Sequence, residues 1–349
     1  VASVQAALPI EQWRTAEGAK VLFVETRGLP MLDVAVDFPA GASYDPAGKG
    51  GAATLTMRLM RLGAGGLGED EISERFASVG AQLSGRFDMD RAGYAVRTLS
   101  SARERDESVV LLAKILQQPA FDPDVFEREK ARGLAGLKEM DTKPEAIVDR
   151  EFKRLIYGSH PYGQRGLGEV ATVERLTRAD VQAFYRTHYV ADRAVVAIIG
   201  DLSRDDARAL AARLTAGLGR ASRALRGPAP VPALGAATTS RLPHPATQAH
   251  ILIGQPGITR NDPDYFALWL GNYVLGGGGF ASRLNEEIRQ KRGFAYSAHS
   301  YFNPLQAAGP FQIGLQTRRE QADEALAVAR ETLTRFVAEG TTEQELSAA

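Results

Sequence analysis

The stretch from Leu275 to Phe302, LGGGGFASRLNEEIRQKRGFAYSAHSYF, decides how the rest of the chain is read. Four glycines, Gly276, Gly277, Gly278 and Gly279, open it, and a charged amphipathic segment follows from Ala281 to Arg292. Leu284 and Ile288 stand four apart and share one helical face. Gly293, after a basic last turn, is a helix stop. From Ala295 the pattern turns short and aromatic, with Tyr296, Tyr301 and Phe302, which predicts a strand. Arg289 then lies near a helix end and Tyr296 near the start of the next strand, so both can project toward one corner. Taken alone, such an arginine is a partner for the helix dipole and such a tyrosine is half-buried packing.

Outward from this stretch, 349 residues with 44% hydrophobic content suffice for two domains of ordinary size. Lys plus Arg and Asp plus Glu number 42 each, so no net field draws in nucleic acid or an anionic membrane. No apolar run approaches the ~20 residues that span a bilayer. Cysteine is absent, which excludes disulfides and thiolate chemistry and leaves His, Asp and Glu as possible metal ligands. A cysteine-free chain opening with the small residues VASVQAALP suits a mature protein freed of a signal peptide, so the expected location is the periplasm.

From the N-terminus, Lys20 to Glu25 and Met31 to Phe38 alternate as half-buried strands, with Arg27-Gly28 in the turn between them. Gly41 to Gly51 is a turn-rich loop, and Ala52 to Leu62 a mostly apolar helix. Ala81 to Phe87 and Ala92 to Leu99 read as a strand pair. Helical patterns follow over Ser101–Gln117, Pro123–Met140, Pro144–Leu155 and Arg178–Thr187, then strand Val195–Gly200 and helix Arg204–Leu218. The run GRASRALRGPAPVPAL breaks the periodicity and reads as an interdomain linker, residues 220–235.

The order then restarts with strand Gln248–Gly254, helix Pro263–Leu275, the glycines, helix Ala281–Arg292, strands Ala295–Phe302 and Pro310–Gln316, and helix Arg319–Glu339. This predicts two homologous α+β repeats, residues 1–219 and 236–349. Thr342 and Glu345 have capping-box spacing, yet the second repeat is much shorter than the first. The pattern therefore predicts that the second domain lacks its C-terminal part.

The run SRLNEEIRQKRGFAYSAHSYF resembles the carboxy-terminal signature of the pitrilysin-type metallopeptidases, or inverted zincins. That family includes insulin-degrading enzyme, the mitochondrial processing peptidase and two-subunit bacterial relatives. A second block, Tyr157 to Gly163 with LTRADVQAFYRTHYVADRAVVAIIGDL from Leu176 to Leu202, extends the resemblance over nearly the whole chain. The resemblance implies repeats that are mainly antiparallel sheets with helices on one face. It also implies that Arg289 and Tyr296 complete an active site whose zinc lies in another half-molecule. Tyrosine can donate to the oxygen that gains charge during amide hydrolysis, and arginine can hold a neighbouring peptide carbonyl.

The family places HxxEH on the helix after the first strand pair, where two histidines bind zinc and the glutamate is the base. Flanking residues align that segment with Thr54 to Arg58. Thr54 and Arg58 replace the ligands and Met57 the base, and the third ligand falls near Ala135 or Gly136. None of these side chains can ligate zinc or take the proton. The five histidines, His160, His188, His244, His250 and His299, show no helical metal spacing among themselves, so no metal is expected in this chain. His160, between Ser159 and Pro161, reads as a hydrogen-bonded turn residue.

His299 is either structural or lines the substrate surface beside Tyr296. The four glycines fail as a phosphate loop, since no GK[ST] follows. They are either a plain connector or, by resemblance to the processing peptidase's non-catalytic subunit, a substrate-contacting loop. Arg283, Glu286, Glu287, Lys291 and Arg292 read as a solvated helix face.

Together these readings describe a zinc-free subunit of a two-chain metallopeptidase. A homologous HxxEH-bearing partner would supply zinc, and the pair would act on unfolded peptides. The alternatives are a structural member, like the core proteins of the respiratory bc1 complex, and a stand-alone peptide-binding shell.

Overall fold

A computed structural model describes residues 9–349. The start of the chain, on which the signal-peptide reading partly rests, lies outside the described residues. The chain divides into two compact units, residues 1–137 with 165–226, and residues 138–164 with 227–349.

The first unit is built on strands β1 (Glu11–Arg14), β2 (Lys20–Glu25), β3 (Met31–Phe38), β4 (Gln82–Phe87), β5 (Ala92–Leu99) and β6 (Val195–Gly200). They form one sheet in the order β1-β2-β6-β3-β5-β4. Although β2 and β3 follow one another, β6 lies between them, parallel to β2 and antiparallel to β3. Period-2 alternation makes one face apolar without naming a neighbour. In β6, Val196 and Ile198 are buried whereas Val195 and Ile199 are exposed. The covered face packs on helices that include α1 (Ala52–Met60), α2 (Glu69–Ser78) and α3 (Ala102–Gln117). Helix α4 (Pro123–Met140) follows α3.

The loop before α1 is a helix cap made from several residues. Both carboxylate oxygens of Asp45 accept backbone N–H groups, from Gly51 and Ala53, each at 2.7 Å. Burial nevertheless pushes the Asp45 carboxyl up to about 6.

After α4 the chain enters the second unit as α5 (Pro144–Tyr157), then returns to the first for α6 (Arg178–His188) and α7 (Arg204–Thr215). The sequence reading kept residues 1–219 together, so the excursion of residues 138–164 differs from it. Helix α5 lies against β7 (Gln248–Pro256), where a Cβ on Gly254 would stand 2.8 Å from the Phe152 ring. The Tyr157 hydroxyl donates to the Ala308 carbonyl at 3.2 Å. Amphipathic spacing gives α5 an apolar face but does not say which sheet it covers.

In the second unit β7 leads to α8 (Tyr265–Asn272), which widens into a π-helical turn over Tyr273–Gly277. Next come a second π-helical segment, α9 (Asn285–Gln290), and strands β8 (Ala295–Phe302) and β9 (Pro310–Arg318). Helices α10 (Ala322–Glu339) and α11 (Glu343–Ala348) complete the described chain. Thr342 and Glu345 form the capping box that opens α11. The sheet order is β8-β9-β7, with the last strand in the middle. In the first unit β3, α1, α2, β4 and β5 are connected and paired in the same way. The restart seen in the sequence is thus a repeated topology.

Ile313, Leu315, Ala295 and Ala298 face Leu284, Ile288, Ala325 and Ala329 in the second core. The helical stretch seats on β8 through small contacts. Gly276 lies so close to Ser300 that an added Cβ would stand 2.5 Å from its backbone nitrogen and 2.4 Å from its Oγ. We therefore expect Gly276→Ala to cost about 1–3 kcal/mol by overpacking, read as a lower urea midpoint at unchanged slope.

Candidate functional site

Tyr296 owes its position to a break in sheet register. Ala295 pairs with Thr317 and Ala298 with Leu315, so one extra residue is accommodated on β8 between them. This bulge turns both Tyr296 and Ser297 outward, where strict alternation would bury one of them. Tyr296 is 84% exposed. Its hydroxyl makes no hydrogen bond among the described residues.

Arg289 reaches the same place from the last turn of α9. Its guanidinium carbon lies 4.9 Å from the centre of the Tyr296 ring and 4.3 Å from that of Phe280. The two residues singled out in the sequence are therefore side by side, and the Phe280 ring also stands against the guanidinium. Sequence reading missed Phe280, because a single aromatic after a glycine run carries no periodic signal. The Arg289 guanidinium has no ion pair or hydrogen bond among the described residues.

Its neighbours explain why. Glu287, 9% exposed, accepts from Arg292 at 2.7 Å and from Lys291 and Arg335 at 3.0 Å each. This buried carboxylate, two residues from Arg289 in the chain, is thus committed to three other cations. Hydrogen bonds led by that from Arg292 hold the Glu287 carboxyl at about 2. The reading of this helix as a solvated face is corrected here for Glu287. It is corrected too for Arg283, whose guanidinium grips Glu345 at 2.6 and 2.7 Å. Apolar periodicity does not reveal an ion cluster shared with α10 and α11.

The glycines have packing roles. Gly276 is pressed on Ser300, and a Cβ on Gly278 would stand 2.8 Å from Tyr273. Gly279 has φ +58, which favours glycine. Gly276 and Gly277 also line a small cleft of about 290 Å³ together with Trp269, His299 and Tyr301. His299 stands on the open sheet face above Gly314 and also borders a larger cleft of about 630 Å³ beside α5. Burial lowers the pKa of its imidazole. His160 is a turn residue, as expected. Its Nδ1 accepts from Tyr162 N–H, and Nε2 meets the Ala229 carbonyl at 2.8 Å.

On α1 the positions aligned with HxxEH do not fit zinc. Thr54 is buried and donates its hydroxyl to the Gly166 carbonyl at 2.5 Å. Met57 fills the space over Gly85, where a Cβ would stand 2.3 Å from its Cε. Arg58 carries a fixed positive charge. Ala135 and Gly136 offer no ligand atom on α4. Among the described residues no group of three or more His, Asp or Glu could hold a metal.

Two outcomes follow from this geometry. The purified chain, and equally its Thr54→His, Met57→Glu, Arg58→His triple variant, should show no chelator-sensitive peptide cleavage, and metal analysis of the parent should find no stoichiometric zinc. The variant still lacks a third ligand and oriented supporting groups. Glu287→Gln should cost about 2 kcal/mol at neutral pH. The folded Glu287 carboxyl titrates below the ordinary glutamate value of 4.5, so its stabilisation is present above that pH and is lost as pH falls toward about 2. Urea midpoints of the two proteins should converge as pH drops from about 5 to about 3.

Comparison with known proteins identifies the lineage. Residues 20–169 match the model described as Insulinase (Peptidase family M16), and residues 175–349 match Peptidase M16 inactive domain. The crystal structure of a peptidase M16 inactive domain from Pseudomonas fluorescens superposes with TM-score 0.92 at 38% identity, covering 98% of this chain and 82% of that one. An uncharacterized zinc protease of Streptomyces coelicolor is 28% identical over 80% of this chain, and the match spans 61% of that protein's length. A non-peptidase homolog, YmxG, of Helicobacter pylori is 24% identical over 93% of this chain and 74% of its own. With both halves matched and the fold shared at this identity, the chain belongs to peptidase family M16.

Proposed function

We propose that this chain is the zinc-free subunit of a two-chain M16 peptidase, and that Arg289 and Tyr296 act on peptide bound at a homologous HxxEH-bearing partner. The observation that carries the reading is an exposed tyrosine on the bulge of β8, its hydroxyl unbonded among the described residues, beside the half-buried Arg289, whose guanidinium is likewise without a hydrogen bond or ion pair there. A residue held for stability alone gains little from leaving five N–H donors unused. The match to an inactive-domain model and the unfit residues on α1 agree with a non-catalytic member.

In this reading the Tyr296 hydroxyl donates to the carbonyl oxygen as it gains charge, and Arg289 holds an adjacent peptide carbonyl. Gly276, Gly277 and His299, which line the small cleft, extend the peptide-contacting surface, and Gly278 and Gly279 continue it beyond the cleft. The substrates are unfolded peptides, which alone can present main-chain carbonyls to such a surface. A chain with no cysteine suits an oxidising compartment, and the periplasm is the proposed setting.

The test is co-expression with an HxxEH-bearing M16 homologue from the same genome, assembly checked by size exclusion, and steady-state peptide cleavage. Tyr296→Phe removes one hydroxyl and keeps the ring. It should lower kcat by ~10²–10³-fold with assembly and the partner's zinc content unchanged. Arg289→Ala should raise KM as well. Full activity of the Tyr296→Phe complex would leave a scaffold role as the better account.

A further inference from the structure

We infer that Phe280 is the positioning residue for Arg289: with Tyr296 it clamps the guanidinium against ring faces, so that its N–H donors are held ready for a peptide carbonyl. This rests on the reading of Arg289 as a peptide-binding group. The guanidinium carbon stands over both rings, 4.3 Å from the centre of Phe280 and 4.9 Å from that of Tyr296. Ring faces attract the cation without taking up its N–H donors, which stay available to a carbonyl oxygen.

Phe280 is 66% exposed, so burial does not explain its place. Its main chain is instead tied to the segment that bears Arg289. Gln290 Nε2 donates to the Phe280 carbonyl at 2.9 Å, and Asn285 Nδ2 and Ser282 Oγ donate to the Gly279 carbonyl at 2.8 and 2.7 Å. The residue before Phe280, Gly279, holds the left-handed conformation, φ +58. The glycine run thus acts through Phe280, which fixes the register of the stack. An arginine with no carboxylate partner would otherwise sample many rotamers. The clamp removes that freedom before the peptide arrives, which lowers the entropy cost of binding.

The experiment has a kinetic and a spectroscopic arm. In the assembled complex Phe280→Leu should raise KM about tenfold with kcat changed by less than about twofold, and Phe280→Tyr should restore it. In an Arg289→Ala background Phe280→Leu should add nothing, because Phe280 acts through that side chain. In the isolated full chain, the Arg289 Nε–Hε NMR signal should be rigid and ring-shifted. Phe280→Leu should make it mobile, and Phe280→Tyr should keep it rigid. Unchanged Arg289 dynamics in Phe280→Leu, or fully additive effects of the two substitutions, overturns the clamp. A KM untouched by Arg289→Ala instead removes the peptidase reading, so the two failures are distinguishable.

Discussion

The corner of the second unit that carries Arg289 and Tyr296 depends on how two asparagines grip the edge strand β8. Asn285 Nδ2 donates to the Ala298 carbonyl at 2.8 Å, and Asn272 Nδ2 to the Ser300 carbonyl at 3.0 Å. The Ser300 hydroxyl returns a bond to Asn272 Oδ1 at 2.7 Å. Asn285 is buried, so losing its partner would leave an amide unsatisfied, a heavier penalty than an exposed bond would carry. These bonds occupy main-chain groups two residues apart on an edge strand, which blunts it against pairing with another strand. They also fix the helical stretch that ends in Arg289 against the strand that begins with Tyr296. The bulge and the ring stack are meaningful only because that seating is rigid.

The Glu287 cluster supplies the electrostatic half of the same design. One largely buried carboxylate satisfies Arg292, Lys291 and Arg335, linking α9 to α10. A carboxylate so buried is stable only with such partners, and it leaves none for Arg289. Arg289 is instead held by ring faces, which attract the cation without consuming its donors. A helix end can thus carry several cations and leave the donors of one of them unused.

The first unit keeps the helix on which the family resemblance expects zinc ligands and fills those positions with packing residues. The Asp45 cap and the packing of α1 serve the helix itself. Thr54 and Met57 are absorbed into that packing, one as a hydroxyl bonded to Gly166 and the other as a filler over Gly85. Zinc ligation needs lone pairs aimed at one point, and here the side chains are aimed at neighbours.

Sequence alone determined the strands over 20–25, 31–38, 92–99, 195–200 and 295–302, because alternation, β-branched residues and bounding turns agree there. It also determined the family, the repeated order of elements, and Arg289 and Tyr296 as neighbours, since a helix stop between them leaves few geometries. It left out β1 and α2, where a short strand and a charged helix give weak periodicity. Tertiary structure decided what sequence patterns cannot encode: that β6 separates β2 from β3, that α5 belongs with the second sheet, and that Glu287 is a buried hub. It decided also that Phe280 covers Arg289. The physical reason is common to all four. Local pattern fixes which face of an element is apolar, whereas the identity of the neighbour is settled by contacts between residues far apart in the chain, where packing and charge compensation choose among surfaces that look alike in one dimension.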